Sequence, residues 1–382
     1  MKLNKFLSAI LINSLVIGLC GCGLNSANSY SENETTDENA TTQDYSITYS
    51  GENIEKIGIC MPAIELERWV NDGNLLKENF EKAGYDVEIA YGDNLIDTQI
   101  NDINNMIDDG VDLLVIAPVD SDSLGECMKK AYENSIPVIA YDRLIFDAPY
   151  LLAYVSYDNY EVGALQAEYI IDALDLDNTT HSYNMEIFAG DPADNNALYF
   201  YNGAMDTLAP YIESGVITIP SGQEDYYSCS ISSWSTSLAK TRMDILISSY
   251  YSNDTQLDAV LVSNDSLALG VTEAIDNSYS KDNSVIITGQ DCDSANVANI
   301  KSGLQSMSIY KNLQNEVWVT CYIVESFVNG NPNNSDLSKG NDFDFQITFD
   351  NSSYGSDEYS INSYLLTPQV VTKDNIDSIS NY

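Results

Sequence analysis

Positive charge is scarce in this chain: 16 Lys and Arg stand against 58 Asp and Glu over 382 residues, a formal net charge of −42. Nucleic-acid binding rests on Lys and Arg displacing cations condensed on phosphates, so a nucleic-acid or other polyanionic partner is excluded. Histidine is nearly absent, and the single one, His181, lies in a polar Asn/Thr/Ser stretch and reads as solvated. No G-x-S-x-G, P-loop or H-E-x-x-H motif occurs, so the common signatures of serine hydrolases, NTPases and zinc proteases are missing. The seven cysteines, Cys20, Cys22, Cys60, Cys127, Cys229, Cys292 and Cys321, form no CxxC pair and no Cys/His set with metal spacing. Neither a metal nor a cofactor is therefore expected. Five of the seven lie beyond the N-terminal segment, an odd number, and read as buried free thiols. The stretch from Asp175 to Glu186 loosely echoes a calcium loop but lacks the glycine of its sharp turn.

What is present suffices for large cores. Hydrophobic residues make up 44% of the chain, charged ones only 19%, and there are 27 Tyr, which separates it from an acidic disordered tail. The length corresponds to roughly two to three domains. At the N-terminus, Lys2 and Lys5 precede an apolar run over 6–19, too short for a bilayer span of about 20 residues but fitting the core of an export signal. The run ends in Leu19-Cys20-Gly21-Cys22, which resembles the lipobox of bacterial lipoproteins, with Cys22 as the lipidation site. Cys20 is the alternative, with bulky Leu19 where a small residue is usual. Residues 1–22 thus read as signal peptide and lipobox, and the Ser/Asn/Thr/Glu-rich stretch 23–50 as a disordered tether.

From Lys56 onward short apolar runs alternate with amphipathic stretches of helical length, the pattern of βα units around a mostly parallel sheet. An α/β fold is expected. Strands are predicted at 56–61, 86–91, 113–117, 137–141, 153–156, 184–188, 216–220, 259–262, 285–288 and 306–309. Helices are predicted at 69–83, 97–109, 124–134, 162–173, 197–212, 237–248 and 312–328.

Ligands of open parallel sheets bind beyond the carboxyl ends of the strands. Polar residues collect there: Arg68-Trp69 after the first strand, Asp142-Arg143 after the fourth, then Asp158-Asn159, Asp194-Asn195-Asn196, Ser263-Asn264-Asp265 and Gln290-Asp291. Each Asp, Asn or Ser taken singly fits a helix N-cap equally well. Arg and Trp cap no helix N-terminus, and beside carboxylates they call for a partner. Carboxylates that accept twice, a guanidinium fork that donates, and amides that do both match the adjacent hydroxyls of a sugar. Trp69 and Trp234 are candidate platforms for its C–H faces.

These residues carry a resemblance. Glu67-Arg-Trp69, Val115-Ile-Ala-Pro118, Ile139-Ala-Tyr-Asp-Arg143, Asp191-Pro-Ala-Asp-Asn-Asn-Ala197, Gly289-Gln-Asp291 and Tyr364-Leu-Leu-Thr-Pro368 span nearly the whole body. Together they resemble the pentose/hexose class of periplasmic sugar-binding proteins of ABC importers, above all the multiple-sugar-binding virulence proteins and xylose-binding proteins. The resemblance implies two Rossmann-like lobes with parallel sheets joined by a three-stranded hinge, the type I periplasmic-binding-protein fold. It implies crossings near 158–160, near 308–312 and after Gly330, with one lobe of 51–159 plus about 311–335 and a second of 160–310 plus about 336–382. The family's sugar contacts carry over to Arg68, Asp142, Arg143, Asn159, Asn196, Asn264 or its neighbour Asp265, Asp291 and Lys311, to which Trp69, Trp234 and Gln290 are added.

The implied function is not enzymatic. It is that of a substrate-binding lipoprotein of an ABC importer, a monomer anchored by lipid outside a bacterial membrane. Its ligand would be an aldopyranose monosaccharide such as galactose, glucose, arabinose or xylose, delivered to permease subunits. Alternatives are a protein that presents its sugar to a membrane sensor kinase and, from another class, a glycoside hydrolase. The pairing of Asp142 with Arg143 speaks against the hydrolase, because it would depress the pKa of the acid.

Overall fold

The apolar runs of the N-terminal half become strands buried on both faces, as a parallel sheet covered by helices requires. The computed structural model describes residues 49, 51, 53–252, 254–331, 337, 345–356 and 358–379. The signal peptide and lipobox of 1–22, with Cys20 and Cys22, and the tether of 23–50 apart from Tyr49 lie outside the described residues.

The first lobe alternates β1 (Lys56–Met61), α1 (Glu67–Ala83), β2 (Asp86–Tyr91), α2 (Ile96–Asp108), β3 (Leu113–Ile116), α3 (Gly125–Glu133), β4 (Val138–Tyr141) and β5 (Leu151–Tyr157). The period of two along β1 is visible in its packing: Ile57, Ile59 and Met61 join the core under α1, while Cys60 joins that of the opposite face.

The second lobe holds α4 (Asn159–Ala173), β6 (Tyr183–Phe188), α5 (Asn195–Glu213), β7 (Ile217–Thr218), α6 (Tyr226–Cys229), α7 (Thr236–Tyr250), β8 (Ala259–Val262), α8 (Asp265–Ser278), β9 (Ile286–Ile287), α9 (Ser294–Ser302) and β10 (Met307–Tyr310). Its sheet runs β7-β6-β8-β9, all parallel. β10 lies beside the chain that leaves β9, with Asp291 N donating to Ile309 O at 2.8 Å. After α10 (Leu313–Val328), which packs on α1, come β11 (Ile347–Asp350), β12 (Ser363–Leu366) and β13 (Gln369–Thr372).

The C-terminal strands correct the boundary read from the sequence. β12 pairs in parallel with β5, Ser363 opposite Tyr154, and β11 pairs antiparallel with β12, so 347–366 complete the seven-stranded first sheet in the order β11-β12-β5-β4-β3-β1-β2. Only β13 goes to the second lobe, antiparallel to β10. The assignment of 336–382 as a block to the second lobe is thereby overturned. The chain crosses between lobes over 157–159, 310–313 and 366–369. Helices α8 and α9 were also not predicted. α8 carries a glycine in its middle, and α9 has Val297 and Ile300 as its only large apolar residues.

Cys60, Cys127, Cys229 and Cys292 are buried free thiols, and Cys321 is a half-buried one. His181 is exposed.

Candidate ligand-binding site

A hollow of about 410 Å³, its open mouth included, lies between the lobes at the carboxyl ends of both sheets. From the first lobe come Arg68 and Trp69 in the first turn of α1, and Asp142 and Arg143 just past β4. From the second come Asp194, Asn196 and Phe200 around the start of α5, Trp234 before α7, Asn264 and Ser266 at the start of α8, and Gln290, Asp291 and Asp293 between β9 and α9. Lys311 enters from the second crossing.

Arg68 is the centre of the charge network. Its Nη2 donates to Asp142 Oδ2 at 2.6 Å and to Glu316 Oε2 at 3.0 Å, its Nε to Asp72 Oδ2 at 3.1 Å, and its Nη1 to Asp291 Oδ1 at 2.9 Å. Burial alone would lower its pKa, but the four carboxylates, Asp142 first, raise it well above the ordinary value, so the charge is permanent. Lys311 Nζ adds contacts to Asp142 at 3.2 Å and Asp291 at 3.4 Å. Burial pushes the Asp142 carboxyl up; Arg68, Lys311 and Arg143 outweigh it and hold Asp142 below its usual range. Glu316, with Oε1 unpartnered, goes the other way: burial and then Asp142 raise it well above the carboxylate range.

The backbone is bent to present these groups. Asp142 (φ 56°), Trp234 (φ 51°) and Asp291 (φ 97°) all sit in the left-handed region, which costs on the order of 1–3 kcal/mol each and persists only where the surroundings enforce it. For Asp142 the enforcement is visible: its carbonyl accepts from Ser156 Oγ at 2.7 Å, Asn196 Nδ2 at 2.9 Å and Tyr154 Oη at 3.1 Å. Asp191 Oδ2 accepts from the N–H of Ser233 at 2.7 Å and so fixes the turn that aims Trp234. The Trp234 ring lies where a Cβ on Gly190 would stand, so only glycine fits there. Arg143 is held by Asp194 Oδ2 at 2.8 Å and by the Pro118 carbonyl at 3.1 Å, its guanidinium 4.9 Å from the Trp69 ring centroid.

Among the described residues, Trp234 Nε1 and Gln290 Oε1 of the wall are buried without a hydrogen-bond partner. One donates and the other accepts, as a hydroxylated ligand would need.

Ten of the twelve binding residues expected from the sequence line the hollow. Asn159 and Asp265 do not; of the pair Asn264 or Asp265, it is Asn264 that does. Asn159 donates to Ser156 Oγ at 3.2 Å and so braces the hydroxyl that holds the Asp142 carbonyl. Asp265 is buried beneath the floor, accepting from Gln305 at 2.9 Å, Ser308 at 3.0 Å and the Asp293 amide at 3.0 Å. Leu66, Asp194, Phe200, Ser266 and Asp293 were not expected in the wall. Asp194 stands inside a motif already noticed, and its role was hidden because it also caps α5.

The lobes are closed on one another. Ser121 N donates to Ala193 O at 3.1 Å, and Ser294 Oγ to Glu67 Oε1 at 2.5 Å, besides the Arg68–Asp291 and Arg143–Asp194 pairs.

Two parallel α/β lobes joined by three crossings and enclosing a polar hollow define a bilobal binding protein. The chain belongs to the periplasmic binding protein domain family, whose profile matches residues 57–332. It is 36% identical over 326 residues to the multiple sugar-binding periplasmic receptor ChvE of Rhizobium radiobacter, covering 85% of this chain and 88% of that one. It is 32% identical over 321 residues to the D-xylose-binding periplasmic protein of Escherichia coli, covering 84% and 88%. Among solved structures, an ABC transporter solute binding protein from Clostridium phytofermentans with bound β-D-glucose superposes with a TM-score of 0.77. The two are 41% identical, covering 85% of this chain and 96% of that one. These relatives are binding proteins, not enzymes.

Proposed function

We propose that this chain is the substrate-binding lipoprotein of an ABC sugar importer, anchored at Cys22 outside the membrane of a bacterium. It captures an aldopyranose monosaccharide between two closing lobes as a monomer and delivers it to the permease. The observation that carries the reading is the convergence of Arg68, Asp142, Arg143, Asn196, Asp291 and Lys311, from both lobes and a crossing, on one hollow. The sugars named for the relatives support the ligand class.

In this reading the open form exposes two half-sites, the sugar bridges them, and closure about the three crossings favours the form the permease recognises. Hydrogen bonds to ionised groups contribute about 1.5–3 kcal/mol each, so a few of them with aromatic stacking support micromolar affinity, near −8 kcal/mol. The names of the relatives above, all of binding proteins, speak against hydrolysis, and Asp142, held ionised by its cations, does not serve as a general acid.

A thermal-shift panel of neutral aldoses, followed by calorimetry on the hits, tests the ligand class, and an unchanged melting temperature with every aldose would end it. Asp142→Ala and Arg143→Ala are each expected to weaken the sugar by about 3 kcal/mol, on the order of 100-fold, since each strands buried partners. Unaltered affinity in both would refute the site. Mass spectrometry of the mature N-terminus, expected to show a diacylated Cys22, tests the anchor.

A further inference from the structure

Asp293 lies in the wall of the hollow and does not do what an aspartate at its position ordinarily does. It is the N-cap residue of α9, where an Asp side chain accepts from an amide of the first turn, yet it makes no cap hydrogen bond. Its own amide is tied down by Asp265, and the next residue, Ser294, reaches across the cleft to Glu67, so Asp293 stands at the seam between the lobes.

The cations of the wall are committed elsewhere. Arg68 serves Asp72, Asp142, Asp291 and Glu316, Lys311 serves Asp142 and Asp291, and Arg143 serves Asp194. Among the described residues no ion pair reaches the Asp293 carboxyl. What faces it is acidic: Asp291 on its own side and Glu67 across the cleft. Burial, then Asp291 and Glu67, push its pKa up to about 8 against the weaker opposing pull of Arg68 and Lys311. The wall as a whole carries four carboxyls, Asp142, Asp194, Asp291 and Asp293, against three cations. Asp293 is thus the wall carboxyl that, among the described residues, has no ion-pair partner, and it borders the ligand space.

Building on the sugar-binding reading, we propose that Asp293 is a further ligand-contacting residue and the counter-ion for a protonated amino group, so that amino-deoxy aldoses are ligands of this cavity beside neutral aldoses. An ammonium placed against the carboxyl makes a charge-assisted hydrogen bond, and the proton that Asp293 carries at neutral pH leaves to solvent. Charge balances: one cation enters and up to one proton departs.

Calorimetry at pH 7 in two buffers of different ionisation enthalpy reads affinity and proton release together. The ligands are D-glucose, D-galactose and the corresponding 2-amino-2-deoxy sugars, with 3-amino-3-deoxy-D-glucose. At least one amino sugar is expected to bind within tenfold of its neutral counterpart with release of most of a proton, the neutral sugars releasing none. Asp293→Asn is expected to cost the amino sugar at least tenfold more than the neutral one and to abolish the release. Neutral sugars binding while every amino sugar fails, or equal weakening of both classes by Asp293→Asn, overturns the assignment and leaves the sugar-binding reading standing. Failure of both classes on the wild-type protein overturns that reading and the assignment with it.

Discussion

Arg68 illustrates how one side chain organises a site. Four carboxylates bind one guanidinium through its three nitrogens, and one of them, Asp291, belongs to the opposite lobe. Arg68→Ala is expected to abolish measurable sugar binding, because it leaves several buried acids unpaired at about 3–5 kcal/mol for a broken buried pair. Arg68→Lys is expected to recover little, since an ammonium cannot reproduce the planar fork. Titration calorimetry checks both. Gly190→Ala is a second test without any change of charge. Its methyl would occupy the Trp234 ring position, and overpacking of about 1–3 kcal/mol predicts a roughly tenfold or greater loss of sugar affinity. The charged pairs were legible in the sequence because Arg beside Asp at a strand exit has no ordinary structural use. Asp72 and Glu316 were not, since nothing local marks an acid that serves a residue 248 positions away, as Glu316 serves Arg68. That Asn159 and Asp265 lie outside the wall was not legible, because a polar residue at a helix start points toward the ligand or into the lobe according to packing that sequence does not encode.

At the scale of elements, helices α4 and α5 pack so closely that glycines face each other's backbone: a Cβ on Gly163 would meet Phe200 O, and one on Gly203 would meet Tyr160 O. Gly163→Ala is therefore expected to destabilise the second lobe by a few kcal/mol, about 1–3 by the overpacking rule. It should also weaken the ligand, because Phe200 lines the hollow; denaturant unfolding and calorimetry separate the two effects. Most of the βα alternation up to β10 was readable, α8 and α9 excepted, because most of its strands are short apolar runs and most of its helices are periodic. β11 and β12 were not, since they lie among Asp, Ser, Asn and Tyr and their meaning depends on a partner, β5, some two hundred residues earlier: Ser363 pairs with Tyr154.

The whole molecule is an acidic object, several of whose buried carboxyls are protonated more readily than free ones. Burial is the leading cause for Asp72, pushed up to about 6, for Asp293, pushed up to about 8, and for the raised Asp194, Asp265 and Glu316. A carboxyl with a higher pKa folded than unfolded stabilises most when protonated in both states; that contribution is lost as pH rises from about 4 through its folded value. The ligand-free melting temperature is therefore expected to rise as pH is lowered from 8.5 to 5, more steeply below about 6, where Asp72 as well as Asp293 takes up a proton on folding. It should turn down below about 4, where Asp142, Asp244 and Asp350, all held below the usual range, begin to lose their ion pairs and hydrogen bonds. A scan showing the opposite slope between 8.5 and 5 would contradict this burial pattern. Added sodium chloride is expected to raise the melting temperature as well, by screening the self-repulsion of a charge of −42.

The division of the C-terminal strands has a consequence for biogenesis. β12 joins one sheet and β13, three residues further on, supplies the edge partner of β10 in the other lobe, so neither half of the body is finished until residues 363–372 have left the ribosome. The proposed function has the polypeptide thread a narrow translocation channel, and a topology that postpones completion of both sheets suits that passage; removal of the tail from residue 345 onward is expected to destabilise both halves at once.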